Sequence, residues 1–379
     1  DILRIAIPIT LSSSMVGIVT VIDSSLVQGQ VQKALLENPA CWELYRSFVD
    51  FAPLEGAISA WKELLAEGEA VTMAALGAQV EAAQKALAIG AALTAPEEAA
   101  LVLHTTLEGI SRTLYGNYGS ALTIYNLPTA LMTAITISVI PTVSGALARR
   151  DRRGASRVAG SALRITALLA FPMGVGLFVL GTPIIQLLFP KMESALAGPL
   201  LSTLGLATVF VCMMLVCNSV LQAYGFVNLP ILVMVLGGGV KIFANYNVVV
   251  MPQVGIYGAP VGNILCFGLC LLLDLFLISR VVPRRPRYLP VFLKPLAASV
   301  IMGGAAWAVY GLMAKLLSSV PEGSEQAVLS TTGSAICVLA AIGVAVVIYL
   351  ALVIALRAIS RDDLALMPKG DKLARLLHL

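Results

Sequence analysis

Long apolar runs separated by short polar loops dominate the chain. A helix needs about 20 apolar residues to cross a bilayer, and the runs lack the period-2 polar alternation of strands. They predict an all-α polytopic membrane protein with eight spans, at residues 2–27, 119–148, 158–180, 199–223, 229–250, 255–281, 292–317 and 327–358. Residues 28–112 break the rhythm, with Asp50 and ten glutamates against Lys33, Arg46, Lys62, Lys85 and Arg112. Pro39, Pro53 and Pro96 mark helix breaks there, so this insertion is expected to form two or three amphipathic helices. Its Ala-rich middle, 70–95, is not counted as a ninth span, because one more crossing would set every later loop against its charge. A solvated helical cap is preferred to a docking surface for a periplasmic or cell-wall partner.

Composition removes other classes. Of 379 residues, 58% are hydrophobic and 12% charged, with a mean hydropathy of +0.90. A soluble enzyme of this size has too little interior for that apolar surface, and a disordered chain would be far more polar. The net charge of +4 is too small and scattered for nucleic-acid binding. Six cysteines show neither a disulfide framework nor metal-ligand spacing, and Cys266 and Cys270 read as packing. The start at Asp1, directly in apolar sequence, is what a fragment or processed chain would show.

Charge gives the expected orientation. Arg149, Arg150, Arg152, Arg153 and Arg157 follow the second span; Arg280, Arg284, Arg285, Arg287 and Lys294 follow the sixth; Arg357, Arg361, Lys369, Lys372 and Arg375 follow the eighth. The alternate loops are poor in cations. The positive-inside rule then places both chain ends in the cytoplasm and residues 28–112 outside. The division expected is a first helix (1–27), the insertion (28–112), the remainder of a six-helix lobe (113–281), a helix pair (282–358) and a cytoplasmic tail (359–379).

Ionisable groups in hydrocarbon are costly and informative. Arg4 and Arg164 lie near cytoplasmic ends and read as snorkelling anchors. Asp274 either pairs with Arg280 or faces a cavity. Asp23, Lys241, Asn245 and Asn263 are expected at similar depth in the outer half, with Lys241 and Asn245 on one helix face. Two readings stay open: an Asp23–Lys241 ion pair that fixes helix packing, which is preferred, or a cation or proton site built from Asp23 and amide oxygens. The second span, with Pro128 and Pro141, is expected to bend. Tyr118, Tyr125, Asn126 and Thr133, with Asn218 and Gln222 of the fourth span, are candidate walls of a hydrated groove. The alternative is packing, with hydroxyls bonded back to their own helix. No nucleophile–base set, catalytic carboxylate pair or phosphate loop is visible, so no enzyme, resident cofactor or metal is expected.

Several stretches carry a family resemblance: Ile5-Ala6-Ile7-Pro8-Ile9-Thr10 leading to Ile22-Asp23, Leu114-Tyr115-Gly116, Tyr125-Asn126-Leu127-Pro128, Ser138-Val139-Ile140-Pro141 and Ala146-Leu147-Ala148-Arg149. Leu221-Gln222-Ala223-Tyr224-Gly225, Gly255-Ile256-Tyr257-Gly258-Ala259, and the tail from Asp362-Asp363-Leu364 to Met367-Pro368-Lys369-Gly370 complete it. In this order the chain resembles the stage V sporulation protein B branch of the multidrug/oligosaccharidyl-lipid/polysaccharide exporter superfamily, with the lipid II flippases as near relatives. Residues 28–112 lie outside the resemblance. It implies the second lobe and C-terminal helix pair of a fourteen-helix flippase that moves polyprenyl-linked oligosaccharide or peptidoglycan precursor across the cytoplasmic membrane by alternating access. It also implies sodium or proton coupling, places Asp23 and Asn245 at a sodium site seen in some lipid II flippases, and puts the Lys241 ammonium where the cation would be. Membrane lipids and the lipid-linked substrate are the partners implied; cell-wall synthesis proteins would be partners only on the docking-surface reading of the insertion. Arg149, Arg150, Arg152 and Arg153 could draw anionic headgroups to the cytoplasmic entrance, although a positive-inside cluster needs no such role. A cation-coupled drug exporter of the same superfamily and a non-transporting scaffold for cell-wall synthesis are the rival readings.

Overall fold

A computed structural model describes the backbone of residues 2–65, 70–282, 288–317 and 331–356, and the side chains of 17, 19, 21–65, 70–282, 291–317 and 333–356. Arg284, Arg285, Arg287, the tail 359–379, and the side chains of Arg4, Arg357 and the 5–10 stretch lie outside the described residues. Among those described, every regular element is helical: α1 (Ile2–Glu37), α2 (Trp42–Tyr45), α3 (Ala52–Leu64), α4 (Met73–Ala88), α5 (Ala95–Ala148), α6 (Arg152–Leu188), α7 (Ser194–Ala223), α8 (Asn228–Val248), α9 (Gly258–Val281), α10 (Tyr288–Leu317) and α11 (Thr331–Ala355).

Helices α5 to α11 supply seven segments long and apolar enough to cross a membrane. The expected first span lies in α1, half of whose side chains are not described. Water would penalise the outward faces of the late helices, where Val300, Ile301, Trp307, Leu312, Leu339, Val347 and Leu350 are all exposed. The protein is an all-α, multi-pass membrane protein, and lipid is the solvent those faces fit.

By internal contacts the chain forms two units. One comprises Asp1–Gly17, Ser120–Val240 and Asn263–Leu379. Within it α6 packs on α7, and α10 and α11 pack on each other and on α6. Glycine explains the α6–α7 approach: a Cβ on Gly205 would lie 2.6 Å from the Phe178 nitrogen and 2.7 Å from the Gly174 carbonyl oxygen. Small residues at such crossings let backbones touch where no hydrophobic drive between helices exists. Helix α6 kinks at Leu180 (φ −104°, ψ 17°), three residues before Pro183, as expected where proline removes a donor and crowds the preceding turn. The Tyr349 hydroxyl of α11 donates to the Leu168 carbonyl of α6 at 2.6 Å.

The other unit comprises Ile18–Gly119 and Lys241–Gly262. Its helices are amphipathic: α3 buries Leu54, Ala57 and Trp61, and α4 buries Leu76, Val80 and Ala83, one face at helical spacing. Pro39 opens a short 3-10 turn, Pro53 sits in the first turn of α3, and Pro96 in that of α5, the position where proline costs no hydrogen bond. Thr72 caps α4 by accepting from the Ala75 N–H at 3.2 Å. Helix α5 runs for 54 residues, through Pro128 and Pro141. At the helical rise this is roughly 80 Å, more than twice a hydrocarbon core.

Candidate functional site

Helix α1 buries one face at four-residue spacing: Asp23, Val27 and Val31 are 4%, 0% and 2% exposed. Helix α8 answers with Lys241 and Asn245, one turn apart and 3% and 0% exposed. The Lys241 ammonium lies 3.0 Å from Asp23 Oδ2. The Asn245 amide donates to Asp23 Oδ1. Both carboxylate oxygens thus have a donor, which a buried carboxylate requires. The Asn245 carbonyl oxygen has no hydrogen-bond partner and sits against Gly262 of α9, where a Cβ would run into it. Nearby, Lys33 lies over the Tyr246 ring at 5.8 Å, and Gln32 donates to Ser111 Oγ at 3.0 Å. Asn263 is buried one residue beyond this unit. Of the four residues singled out in the sequence, three therefore meet in one polar cluster.

Chemically the cluster is a buried carboxylate answered by an ammonium and an amide. A buried ion pair gives little net stability, but losing one partner costs about 3–5 kcal/mol.

The groove candidates divide. Tyr118, Tyr125 and Asn218 are buried at 0%, 5% and 8% exposed; Asn126 and Thr133 are exposed and Gln222 half-buried. Along α5, Thr129, Thr133, Thr136 and Thr142 donate to carbonyls three or four residues back, at 2.7–2.9 Å. Their hydroxyls are satisfied by their own helix, the packing alternative weighed for this span. Asn126, with no such backbone bond described for its side chain, stands on the same exposed helix.

The basic cluster is made by a turn. Arg150 takes a left-handed conformation (φ 60°), its N–H bonds the Leu147 carbonyl at 2.9 Å, and the Asp151 N–H bonds that of Ala146 at 3.0 Å. Asp151 then caps α6 by accepting from the Gly154 N–H at 2.8 Å. Arg149, Arg150, Arg152 and Arg153 all emerge exposed from this three-residue reversal.

Asp274 on α9 does not pair with Arg280, whose guanidinium lies over the Phe276 ring at 5.2 Å. It is 0% exposed, and neither carboxylate oxygen has a hydrogen-bond partner. The six cysteines are free and buried; Cys270 contacts the Val233 carbonyl at 3.5 Å, as the packing reading expects.

Sequence reasoning missed one contact. The Tyr45 hydroxyl accepts the Ile256 N–H at 2.6 Å, 211 positions away. Burial pushes that phenol's pKa up, opposed in part by the Ile256 hydrogen bond. Nothing local in sequence signals a tyrosine whose partner is a distant backbone amide.

With this geometry in place, comparison with known proteins gives a single family. Residues 100–322, more than half of the chain, match a family model described as lipid II flippase MurJ. The match takes in most of α5, all of α6 to α10, and Lys241, Asn245, Asn263 and Asp274; Asp23 precedes it. No curated protein matches the chain.

Proposed function

The chain belongs to the lipid II flippase MurJ family, and from that premise we propose that it moves a polyprenyl-linked oligosaccharide or peptidoglycan precursor across the cytoplasmic membrane. The observation that carries the reading is the family match lying over the membrane helices α5 to α10. The task is to take a charged, polyhydroxylated headgroup through hydrocarbon while the polyprenyl tail stays in lipid, by alternating access. In this reading the spans form the second lobe and C-terminal pair of a fourteen-helix flippase. Both ends are cytoplasmic, the arginine turn at 149–153 meets anionic headgroups on entry, and residues 28–112 stand outside the membrane. Helix α5 is the wall offered to the headgroup. It is the least buried of the seven segments, 22% against 67% for α7, and it exposes Asn126 and Thr133.

The Asp23–Lys241–Asn245 cluster is, on this proposal, a structural clamp rather than a sodium site. The 3.0 Å Lys241–Asp23 contact supports it, since the ammonium fills the place a cation would take. Two measurements test these statements. Proteoliposomes holding the purified chain are expected to flip a fluorescent lipid-linked saccharide; failure to move it, with the chain folded, removes the transport reading. The melting temperature is expected to ignore sodium relative to potassium; a sodium-specific rise that disappears in Asp23→Asn would replace the clamp with a coupling site.

A further inference from the structure

Among the described residues, three charged side chains are buried: Asp23, Lys241 and Asp274. The first two neutralise each other. Asp274 has no such answer. Among the described residues no donor bonds either of its carboxylate oxygens. The titratable groups that share its electrostatic neighbourhood are the Cys217 thiol of α7 and the Cys270 thiol one turn earlier on α9. Leu271 and Ile278, one turn to either side of it on α9, belong to a buried apolar cluster with Val216 and Val220 of α7, Val143 of α5 and Ala159 of α6. From Ser120 to Ala148 α5 carries no charged residue, and neither does α8 from 228 to 240. Arg152, Arg153, Arg157 and Arg164 of α6 make no bond to either Asp274 oxygen. Lys294 of α10 donates to the Leu356 carbonyl at 3.0 Å.

An ionised carboxylate with neither donor nor counter-ion in apolar packing is far costlier than the neutral acid. We propose that Asp274 is a proton-binding site of the membrane-embedded unit: it holds a proton on a carboxyl oxygen in this conformation and surrenders it to water when α9 moves, so that the conformational cycle is linked to pH. The ligand is the proton itself, taken from and returned to water. Intramembrane carboxyls form proton relays in pumps and transporters. The proton site stands on geometry alone, whereas its link to transport rests on the flippase reading.

Infrared spectroscopy of the whole chain in liposomes tests the site without any transport assay. Near neutral pH, wild type is expected to show the carbonyl band of a protonated carboxylic acid, shifted by isotope-labelled aspartate. Asp274→Asn should lose the band, and Asp274→Glu should move it. Absence of the band in wild type, or its survival unchanged in folded Asp274→Asn, overturns the proposal. Should Asp274→Asn fail to fold, the shift or constancy of the band in Asp274→Glu decides. The transport arm compares flipping across a range of pH. Wild type is expected to vary severalfold and Asp274→Asn to follow a flat profile; identical profiles overturn the linkage. A chain that shows the band yet flips nothing keeps the proton site and loses the flippase reading.

Discussion

Two buried aspartates in the same chain lead opposite lives. Asp23 is met by an ammonium and an amide on a neighbouring helix, whereas Asp274 has only thiols as titratable neighbours and both its oxygens are unbonded. The difference lies in what the facing helix presents. Helix α8 places Lys241 and Asn245 one turn apart toward α1; α7 presents Val216, Cys217 and Val220 to the core around α9. On the two proposals made above, one aspartate is half of a clamp and the other carries a proton, and the neighbours decide which.

Removing the clamp's cation is the severest way to break that contrast. Lys241→Met should destabilise the protein by about 3–5 kcal/mol in denaturation from detergent, because it leaves a bare carboxylate behind. Adding Asp23→Leu to it should restore most of the loss, since a buried pair and a packed apolar pair are of similar stability. If the double variant is as unstable as the single, the clamp's charge was not the cause.

Crowding the clamp without touching its charges should cost less. Gly262→Ala pushes a methyl group into the Asn245 amide, and overpacking of this kind costs about 1–3 kcal/mol. A neutral polar contact provides the intermediate case. Tyr45→Phe leaves the Ile256 N–H without its acceptor, an expected loss of about 1–2 kcal/mol. The smallest effect is expected at the other aspartate: Asp274→Asn should cost under about 1.5 kcal/mol near neutral pH, as a neutral group replaces a neutral group of like volume. A loss there as large as that of Lys241→Met would mean that Asp274 is ionised and paired, and the contrast would vanish.

Much of the architecture was legible because membrane helices announce themselves locally. Length and apolarity alone placed the segments that became α5 to α11, with the span expected at 255–281 found at Gly255–Val281. The prolines at 39, 53 and 96 stand in first turns as their chemistry requires. The second span, expected at 119–148, lies inside a helix that starts at Ala95. A polar, Glu-bearing stretch can extend a helix into water, and hydropathy is blind to that. The candidate site was legible only in its members. Asp23, Lys241 and Asn245 stand out as charges and amides in apolar runs, yet whether Arg280 turned toward Asp274 or onto Phe276 depended on a rotamer that no spacing records.

By itself, then, the sequence determined the solvent, the helices and which residues are anomalous within them, because those follow from composition and from a helical period a few residues long. Only the tertiary structure decided which anomalies are answered. A counter-ion for Asp23 arrives from 218 residues further along the chain, and among the described residues no hydrogen-bond partner arrives for Asp274. Pairing of buried charge is set by distance in space, where the energy of a few ångströms of desolvated separation outweighs any local preference.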